Sequence, residues 1–409
     1  MSFNLNLLNE SNNLKSISNI LKSKNCTSLN NKKYNVITYD KPFLSDDLIN
    51  TYGIYRSIIT NETGNVVCFS PPKSCPYDIF KTKYPYPNKD HPLFAEEFIE
   101  GTMINVFWDD NIGLSGAWEI ATKNTVGAES KFYQHSKTFR ELFLEAARCN
   151  GLIMDDLSKS YCYSFVLQHP SNRIVVKINK PQLYLISAYL ISNYDVNPHN
   201  CFSVSTIDRE FLKQLNWNGV KFPKTYYWET YADLEKKFAS VNTNYQIVGV
   251  MIHNLSTGER TKIRNPSYEQ VKKLAGNQPK LKFHYITLRQ NGKLHDYLQF
   301  YPENKRQFSS FRDEIHVFTH TLYTNYISCF VKKLDPLSDF SEQFKTHMVR
   351  LHEKYLSELR EHKKKITKMD VITYVNLLPV ALLMYSLNYN FRIKSIDDSA
   401  SNLPSQSTF

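Results

Sequence analysis

The chain has 409 residues, a length that allows two or three domains with substantial cores. An apolar fraction of 42%, with 27 Tyr and 25 Phe, argues against a disordered chain. Fifty Lys and Arg outnumber 39 Asp and Glu, and this net charge of +11 favours a polyanionic partner, nucleic acid ahead of a membrane. Seven scattered cysteines form no Cys-x-x-Cys pair, and no secretory signal opens the sequence, so we expect an intracellular protein without a zinc site.

The first part of the chain predicts a loose segment followed by a hairpin. Residues 1–33 are rich in Asn, Ser and Lys, which is typical of a poorly ordered extension. Two strand-like runs follow, Tyr52–Ile59 and Asn65–Phe69, and Gly64 supplies the turn between them. Arg56 belongs to the first run. An arginine in a strand is more often a surface charge, and a contact with a ligand is the alternative role.

The stretch Glu96–Trp108 combines acidic residues, a glycine and a hydroxyl residue with an alternating apolar run. It predicts a turn that leads into an antiparallel strand, paired with Trp118–Lys123 across a loop that contains Gly113. A glycine at Gly101 lets the backbone approach a ligand, and the Thr102 hydroxyl can bond a sugar or a phosphate. We therefore expect the functional site to be built around this turn.

Helices and strands then alternate. Ser136 or Thr138 can cap a helix over Phe139–Ala147, and Tyr161–Leu167 is a strand of the buried type. The remaining predicted strands are Leu183–Ala188, Tyr245–Ile252 and Arg260–Tyr268.

The C-terminal region predicts helices. Residues 308–333 and 341–365 have helical spacing, with Phe344, Met348, Leu351 and Tyr355 as one core stripe. Residues 371–391 lack charge over a length that could cross a bilayer, but Pro379 interrupts them. We therefore predict a buried, kinked helix here and no membrane contact.

Several of these segments, in this order, resemble the motifs of ATP-dependent RNA ligases of the phage tRNA-repair type, a group of covalent nucleotidyltransferases. The family signature is Lys-x-Asp/Glu-Gly-Ser/Thr, in which the lysine attacks the α-phosphate of ATP. Here Glu100, Gly101 and Thr102 fill the last three places, and Phe98 stands at the lysine position. A phenylalanine has no lone pair with which to attack.

The other motifs keep their order and lose their carboxylates. The segment Phe165–Val176 is similar to the family's Phe-Glu-Leu-x-His-Pro-x-Asn-Arg-Ile-Val, with Val166 in place of the glutamate, and Val248 stands where the family has a metal-binding glutamate. The cations of the last motif remain as Lys262 and Arg264, which alternate on one strand face.

The resemblance also implies a fold and a set of nucleotide- or phosphate-binding positions. The fold would be α+β: a nucleotidyltransferase (ATP-grasp-like) domain of antiparallel sheets with flanking helices, plus an all-helical C-terminal domain. The expected domains are 34–300 for the ligase-like part, 301–394 for the helical part and 395–409 for a polar tail, after the 1–33 extension. The candidate binding residues are Arg56, Lys73, Glu100, Gly101, Thr102, Lys123, Lys262 and Arg264.

Three functions remain open. The first is a catalytically inactive RNA-ligase-like protein that binds RNA or serves in an RNA-processing or transcription assembly, with no metal and no cofactor. The second is an active ligase or nucleotidyltransferase in which a displaced lysine, Lys89 or Lys123, reacts with ATP and magnesium. The third is a structural or interaction protein that uses the fold without nucleic acid. RNA is the expected partner in the first two, and protein partners are compatible with the first and third.

Overall fold

The computed structural model describes residues 2–5, 19–89, 91–132, 137–194 and 201–392. The chain divides into two compact units, Met1–Lys273 and Leu274–Phe409. The first unit combines antiparallel sheets with helices, and the second is helical throughout its described part. This confirms the predicted α+β class with a helical C-terminal region. The predicted polar tail at 395–409 and the candidate cap Ser136 lie outside the described residues.

The strands and helices follow one another in chain order. The strands are β1 (Ser2–Asn4), β2 (Leu21–Thr27), β3 (Lys33–Tyr39), β4 (Ile58–Thr60), β5 (Val66–Phe69), β6 (Leu93–Glu97), β7 (Thr102–Asp109), β8 (Ala117–Ala121), β9 (Tyr161–Gln168), β10 (Gln182–Tyr194), β11 (Cys201–Thr206), β12 (Thr225–Tyr226), β13 (Gly249–Asn254) and β14 (Arg260–Arg264). The helices are α1 (Ile49–Tyr52), α2 (Tyr77–Lys83), α3 (Phe139–Cys149), α4 (Arg209–Gln214), α5 (Tyr231–Phe238), α6 (Pro266–Ala275), α7 (Leu281–Gln290), α8 (Leu294–Phe300), α9 (Lys305–Tyr326), α10 (Glu342–Lys354), α11 (Lys368–Leu377) and α12 (Val380–Leu387).

Three antiparallel sheets build the first unit. The largest has six strands in the order β1-β11-β10-β9-β7-β8, the second has the order β12-β6-β13-β14, and the third has the order β2-β3-β4-β5. The predicted hairpins β4–β5 and β7–β8 are present in these sheets. Two elements of the predicted N-terminal extension, β1 and β2, form strands, and β2 pairs with β3 along its whole length.

The six-stranded sheet packs one face against α3. Ile104 of β7 and Phe165 of β9 are fully buried together with Leu142 and Phe143 of the helix. The helix begins at Thr138, whose hydroxyl accepts from the Glu141 amide while the Glu141 carboxylate accepts from the Thr138 amide. This capping box satisfies two backbone donors that the first turn leaves without partners, so the sequence sets the start of the helix.

The sheet β12-β6-β13-β14 has two chemically different faces. Ala95, Val250, Ile252 and Ile263 alternate along its strands and pack with α2 and α5 in one apolar cluster. The residues between them project from the opposite face, because successive side chains of a strand point to opposite sides. That second face carries the charged residues of the candidate site.

Two predicted strands begin later than the sequence suggested. The run Tyr52–Ile59 enters its strand only at Ile58, because α1 and a turn precede it, so Arg56 lies in that turn. The run Tyr245–Ile252 likewise enters β13 at Gly249, where Phe98 donates its backbone N–H to the Gly249 carbonyl, 3.4 Å away. Both strands therefore start where a partner strand first becomes available.

The second unit packs α9 against α10 and α11. Phe318 of α9 stacks on Phe344 of α10 at 5.3 Å between ring centroids, and Met348 and Leu351 are fully buried. The predicted core stripe of this region is therefore confirmed for these three α10 residues. The predicted kink is present too: α11 and α12 meet at 113° around Pro379. Among the described helices, no single one has the length and apolar composition needed to cross a membrane. The bent pair α11 and α12 reaches that length and composition only when the two helices are taken together.

Candidate functional site

The turn between β6 and β7 places the signature residues, and Gly101 makes its geometry possible. Gly101 has φ +153°, and a Cβ at this position would lie 2.4 Å from the carbonyl oxygen of Leu167 and 2.6 Å from a methyl of Val166. Only a residue without a side chain fits such a close approach of two strands. Gly249 is under the same constraint, since a Cβ there would lie 2.0 Å from the Ile263 carbonyl oxygen.

Glu100 and Thr102 fasten this turn to the segment after β9. The buried Glu100 carboxylate accepts from the backbone amides of Val175 and Val176 at 3.0–3.2 Å, and Thr102 Oγ1 accepts from Asn172 Nδ2 at 2.8 Å. Burial raises the pKa of Glu100, although the amide bonds favour its charged form. Both side chains hold the protein's own backbone, and neither lines the cavity described next. Their nucleotide-binding role stays a prediction.

The polar face of the sheet β6-β13-β14 is arranged in three rows of cross-strand neighbours. The pairing register aligns Met251 with Glu96 and Lys262, and it aligns His253 with Phe94 and Arg260. One step further along the sheet, Gly249 pairs with Arg264 and contacts the backbone of Phe98. The three rows are Phe98–Gly249–Arg264, Glu96–Met251–Lys262 and Phe94–His253–Arg260. The face therefore places the lysine position of the signature beside the cations of the last motif.

A cavity of about 470 Å³ lies between this face and the six-stranded sheet. Phe98 and Lys262 line it from one side, and Met103, Val166 and Ile186 line it from the other. Further sequence-predicted residues, Arg56 and Lys73, also line it. Val248, Lys123 and Arg264 do not, although Arg264 lies over the Phe98 ring and forms an ion pair with Glu269. The exposed Lys89 is likewise outside the lining.

The cavity concentrates positive charge. Burial, together with the neighbouring cations Arg264, Arg56, Arg260 and Lys73, lowers the pKa of Lys262 to about 8. Burial and the charge of Arg56 together lower the pKa of the buried Arg260 to about 9. Mutual repulsion of this kind shows that the charges lie close together and lack sufficient counter-charge.

Two further basic side chains extend the cluster at its Tyr39 end. The Lys123 ammonium lies over the Tyr39 ring, 4.8 Å from its centroid, and its pKa is lowered by burial and by the charges of Arg56 and Lys41. Tyr39 and Lys41 both line the cavity. In the part of the chain that the structure describes, Lys41, Arg56, Lys73, Lys123 and Lys262 form no ion pair with a carboxylate.

Some site residues were missed by the sequence interpretation. Arg260 donates to the carbonyls of Pro71 and Pro72 at 3.1 and 2.8 Å, which ties β14 to the segment after β5. Its position two residues before Lys262 places it on the same strand face, and this spacing could have revealed it. Glu96 is buried in the cavity wall, where it forms an ion pair with Arg209, and His253 Nε2 lies 2.9 Å from its carboxylate. No local pattern indicates that set, because its members come from three distant parts of the chain.

The carboxylate positions hold no metal-binding group. Val166 lines the cavity with a methyl-bearing side chain, and Val248 is buried and offers no oxygen from its side chain. Magnesium takes oxygen ligands, so the residues present at these two positions do not fit it. Within the described ranges no three or more His, Cys, Asp and Glu side chains gather in a group able to hold a metal ion.

This chain is similar in sequence to an RNA ligase. No protein-family model matches it. It is 22% identical to the RNA ligase of Rhodothermus phage RM378 over 318 residues, which cover 68% of this chain and 69% of that protein. The resemblance stated from the motifs is thereby confirmed.

Solved structures of Naegleria gruberi RNA ligase are also similar to this chain. A mutant with ATP and manganese matches with a TM-score of 0.30 and 16% identity, over 44% of this chain and 51% of that one. The same ligase with pyrophosphate matches with a TM-score of 0.33 and 17% identity, over 57% and 70%. This chain thus spans about half the length of the first of these structures.

Proposed function

We propose that this chain is an RNA-ligase-like protein that does not form a lysyl-AMP intermediate and that binds RNA through its cation-lined cavity. One observation carries the proposal. Phe98 occupies the lysine position in the wall of a cavity whose phosphate-binding cations, Arg56, Lys73 and Lys262, are still present. The cavity has therefore lost its nucleophile and kept the groups that attract a phosphate. A role within the cell, in an RNA-processing or transcription assembly, goes with this proposal.

The electrostatics favour a phosphate ligand. A lowered pKa means that the protonated form of Lys262 costs free energy in the unliganded protein. A phosphodiester or terminal phosphate would supply the missing counter-charge and so bind with relief of that repulsion. RNA offers such groups in a row, and the net charge of +11 would assist its approach.

The cavity lacks the acid and metal chemistry that nucleotidyl transfer uses. Transfer to a lysine needs an attacking amine, carboxylates that hold the divalent metal, and cations for the triphosphate. In this chain Phe98 stands at the position of the attacking amine, and Val166 and Val248 stand at the positions of the carboxylates. Of the carboxylates that line the cavity, Glu96 already forms an ion pair with Arg209, which leaves Glu97. ATP and magnesium are therefore not proposed as cofactors.

A matched pair of variants tests the RNA-binding role. Lys262→Gln removes a cation of the cavity, and Lys236→Gln removes an exposed cation of α5, which packs on the opposite face of the sheet. We expect Lys262→Gln to weaken single-stranded RNA binding at least tenfold and to reduce the slope of log K against log salt by about 0.7, the value for one phosphate contact. Lys236→Gln should change neither. Equal effects in both variants, or no salt-sensitive RNA binding by the parent chain, would refute the proposal.

Incubation with α-labelled ATP and magnesium tests the absence of catalysis. We expect no covalent label after denaturing electrophoresis. A label that survives denaturation would favour the second candidate, a ligase with a displaced nucleophile. The structure points to Lys262 for that role, because it lines the cavity and its pKa of about 8 leaves part of the amine neutral at physiological pH. Loss of the label in Lys262→Arg, and not in Lys89→Arg or Lys123→Arg, would identify it.

The purely structural alternative has less support. A protein that uses the fold only as a scaffold would be expected to have scattered cations and a groove closed by Phe98. The structure instead gathers the cations in one place and leaves a cavity of about 470 Å³ beside the Phe98 ring.

A further inference from the structure

A second cavity, of about 330 Å³, lies at the Phe94–His253–Arg260 end of the same sheet face. It shares Glu96, Ile186 and Arg260 with the first cavity, but Phe98, Val166 and Lys262 do not line it. Its volume falls within the range of small-molecule sites, about 300–1,000 Å³. None of the residues that resemble ligase motifs explains it.

The walls of this cavity are aromatic and flat. Phe94 and His253 are cross-strand neighbours whose rings stack against each other, with 4.8 Å between their centroids and an interplanar angle of 13°, so they form one stacked aromatic pair in the wall. Phe3, Tyr189 and Phe222 contribute further rings to the lining. Flat aromatic surfaces of this kind bind planar ring systems by stacking, with little dependence on the identity of the ring.

Buried hydrogen-bond donors in the lining lack partners. Asn254 is 1% exposed, and its Oδ1 accepts from the backbone amides of Ser256 and Thr257 at 2.9 and 3.1 Å. These two bonds fix the orientation of the amide, and Nδ2 is left without a partner among the described residues. The Arg209 Nε and the Thr206 hydroxyl, in the same lining, are also without partners there. Buried polar groups rarely stay unpaired, so these groups call for a ligand with acceptor atoms.

The charges of the lining cancel. Arg209 is paired with Glu96, while Arg260 is held by two backbone carbonyls and Asp208 accepts from the Phe211 amide at 2.9 Å. Burial lowers the pKa of His253 well below its usual value, so this ring is neutral at physiological pH. The two arginines and two carboxylates leave no net charge, which favours an uncharged ligand over a phosphate or a carboxylate.

We propose that this second cavity binds one nucleobase. A nucleobase is planar and uncharged, it carries ring nitrogen or carbonyl acceptors, and it matches the aromatic lining and the unpaired donors together. The base belongs either to a free nucleoside or to a nucleotide of the RNA chain. The site itself does not depend on the proposed RNA binding; only the second of these sources does.

Nucleosides, which lack a phosphate, isolate this site from the cation-lined cavity. Titration of the full chain with adenosine, guanosine, cytidine and uridine, followed by calorimetry, should show saturable binding of at least one of them, and D-ribose should not bind. Thr206→Val removes the unpaired hydroxyl without changing the shape of the side chain, and Phe222→Leu removes a ring of the wall. We expect each variant to weaken nucleoside binding by about tenfold or more, by loss of one hydrogen bond or one stacked ring.

Lys262→Gln serves as the control, since Lys262 lines only the first cavity. It should leave nucleoside affinity unchanged while it weakens RNA binding, so that failure of one proposal can be told from failure of the other. Circular dichroism would confirm that each variant is folded. If Phe222→Leu does not fold, Thr206→Val still tests the proposal. Absence of saturable binding for all four nucleosides, or binding that Thr206→Val leaves unchanged, would overturn the proposal.

An RNA oligonucleotide and its abasic counterpart distinguish the two sources. If the base comes from RNA, the intact oligonucleotide competes with the nucleoside and binds more tightly than a series with single abasic positions. If the ligand is a free nucleoside, RNA and nucleoside bind together without competition, and the abasic series binds like the intact chain. Either result supports the nucleobase site. The proposal would be contradicted if the abasic oligonucleotides competed with the nucleoside as strongly as the intact oligonucleotide does.

Discussion

The guanidinium of Arg264 lies over the ring of Phe98, 5.4 Å from the ring centroid. Arg264 is a cation of the last motif, and Phe98 stands at the lysine position of the first. A lysine there would bring a second positive charge next to Arg264, whereas an aromatic face attracts the guanidinium by about 0.5–1 kcal/mol. Phe98 therefore makes a contact with Arg264 that is favourable without any ligand, whereas a lysine at this position would add a repulsion that a bound nucleotide would have to offset.

Restoring the lysine alone should not restore nucleotidyl transfer. We expect Phe98→Lys to remain unlabelled by α-labelled ATP and magnesium, because no carboxylate stands at Val166 or Val248 to hold the metal. A covalent label is expected only when Val166→Glu, which places a carboxylate in the cavity wall, is added. Labelling of Phe98→Lys by itself would show that the lost carboxylates are dispensable, and Phe98→Met is the control that fills the position without an amine.

RNA affinity should fall as the pH rises through about 8. Burial and neighbouring cations lower the pKa of Lys262 to about 8, so this amine is charged below that pH and neutral above it. Its contact with a phosphate is complete well below pH 8 and is lost as the pH rises through this value, although a bound phosphate moves the transition upward. Fluorescence anisotropy at constant ionic strength between pH 6.5 and 9.5 should show a loss of about threefold to tenfold, the range expected for one charge contact.

Lys262→Arg gives the matched control for this pH profile. Arginine stays protonated throughout the range, so its affinity should vary little over the same interval. A pH profile identical to that of the parent chain would assign the titration to another group.

Loss of the Glu100 carboxylate should destabilise the fold. Glu100→Ala leaves the buried amides of Val175 and Val176 without their acceptor. An unpaired buried amide costs about 1–3 kcal/mol, so we expect the free energy of unfolding to fall by about 2–4 kcal/mol in a urea titration. Glu97→Ala, at a half-buried position three residues earlier, is the comparison and should change it by less than about 1 kcal/mol. A loss of RNA binding in Glu100→Ala with unchanged stability would instead favour a direct ligand contact.

The glycines at the two strand crossings should tolerate no side chain. Gly101→Ala would place a methyl 2.4 Å from the Leu167 oxygen, and Gly249→Ala would place one 2.0 Å from the Ile263 oxygen. We expect each to destabilise the chain by more than about 3 kcal/mol, because backbone has to move. Gly64 also has a positive φ, +85°, but open space surrounds the added methyl, so Gly64→Ala measures the cost of a positive φ without a clash, about 1–2 kcal/mol. Thermal unfolding of all three would separate the two contributions.

The sequence predicted those parts of the site that depend on local pattern. Phe98, Val166 and Lys262 were found from motif spacing and do line one cavity. Thr138 was one of the two helix caps that the sequence suggested, and it is the N-cap in the structure. Period-two alternation and capping chemistry act within a few residues, so one sequence suffices to recognise them.

The remaining parts depend on long-range pairing. Glu96, Arg209 and His253 meet only because β6 and β13 pair in one particular register and α4 packs nearby. Arg56 was assigned to a strand, since the short helix before it has no strong propensity signal, and it lies in a turn. The second cavity has no sequence signature at all, because its aromatic walls come from five separated segments.

The two-faced sheet also bears on how such a protein can change. Ile263 packs among the helices, whereas its strand neighbours Lys262 and Arg264 face away from them. A substitution on the outward side alters what the protein can bind and leaves the packing of the inward side in place. Ligand binding and folding thus depend on different positions of the same strand. Substitutions at the binding positions can therefore remove or introduce an activity while the packed core stays unchanged.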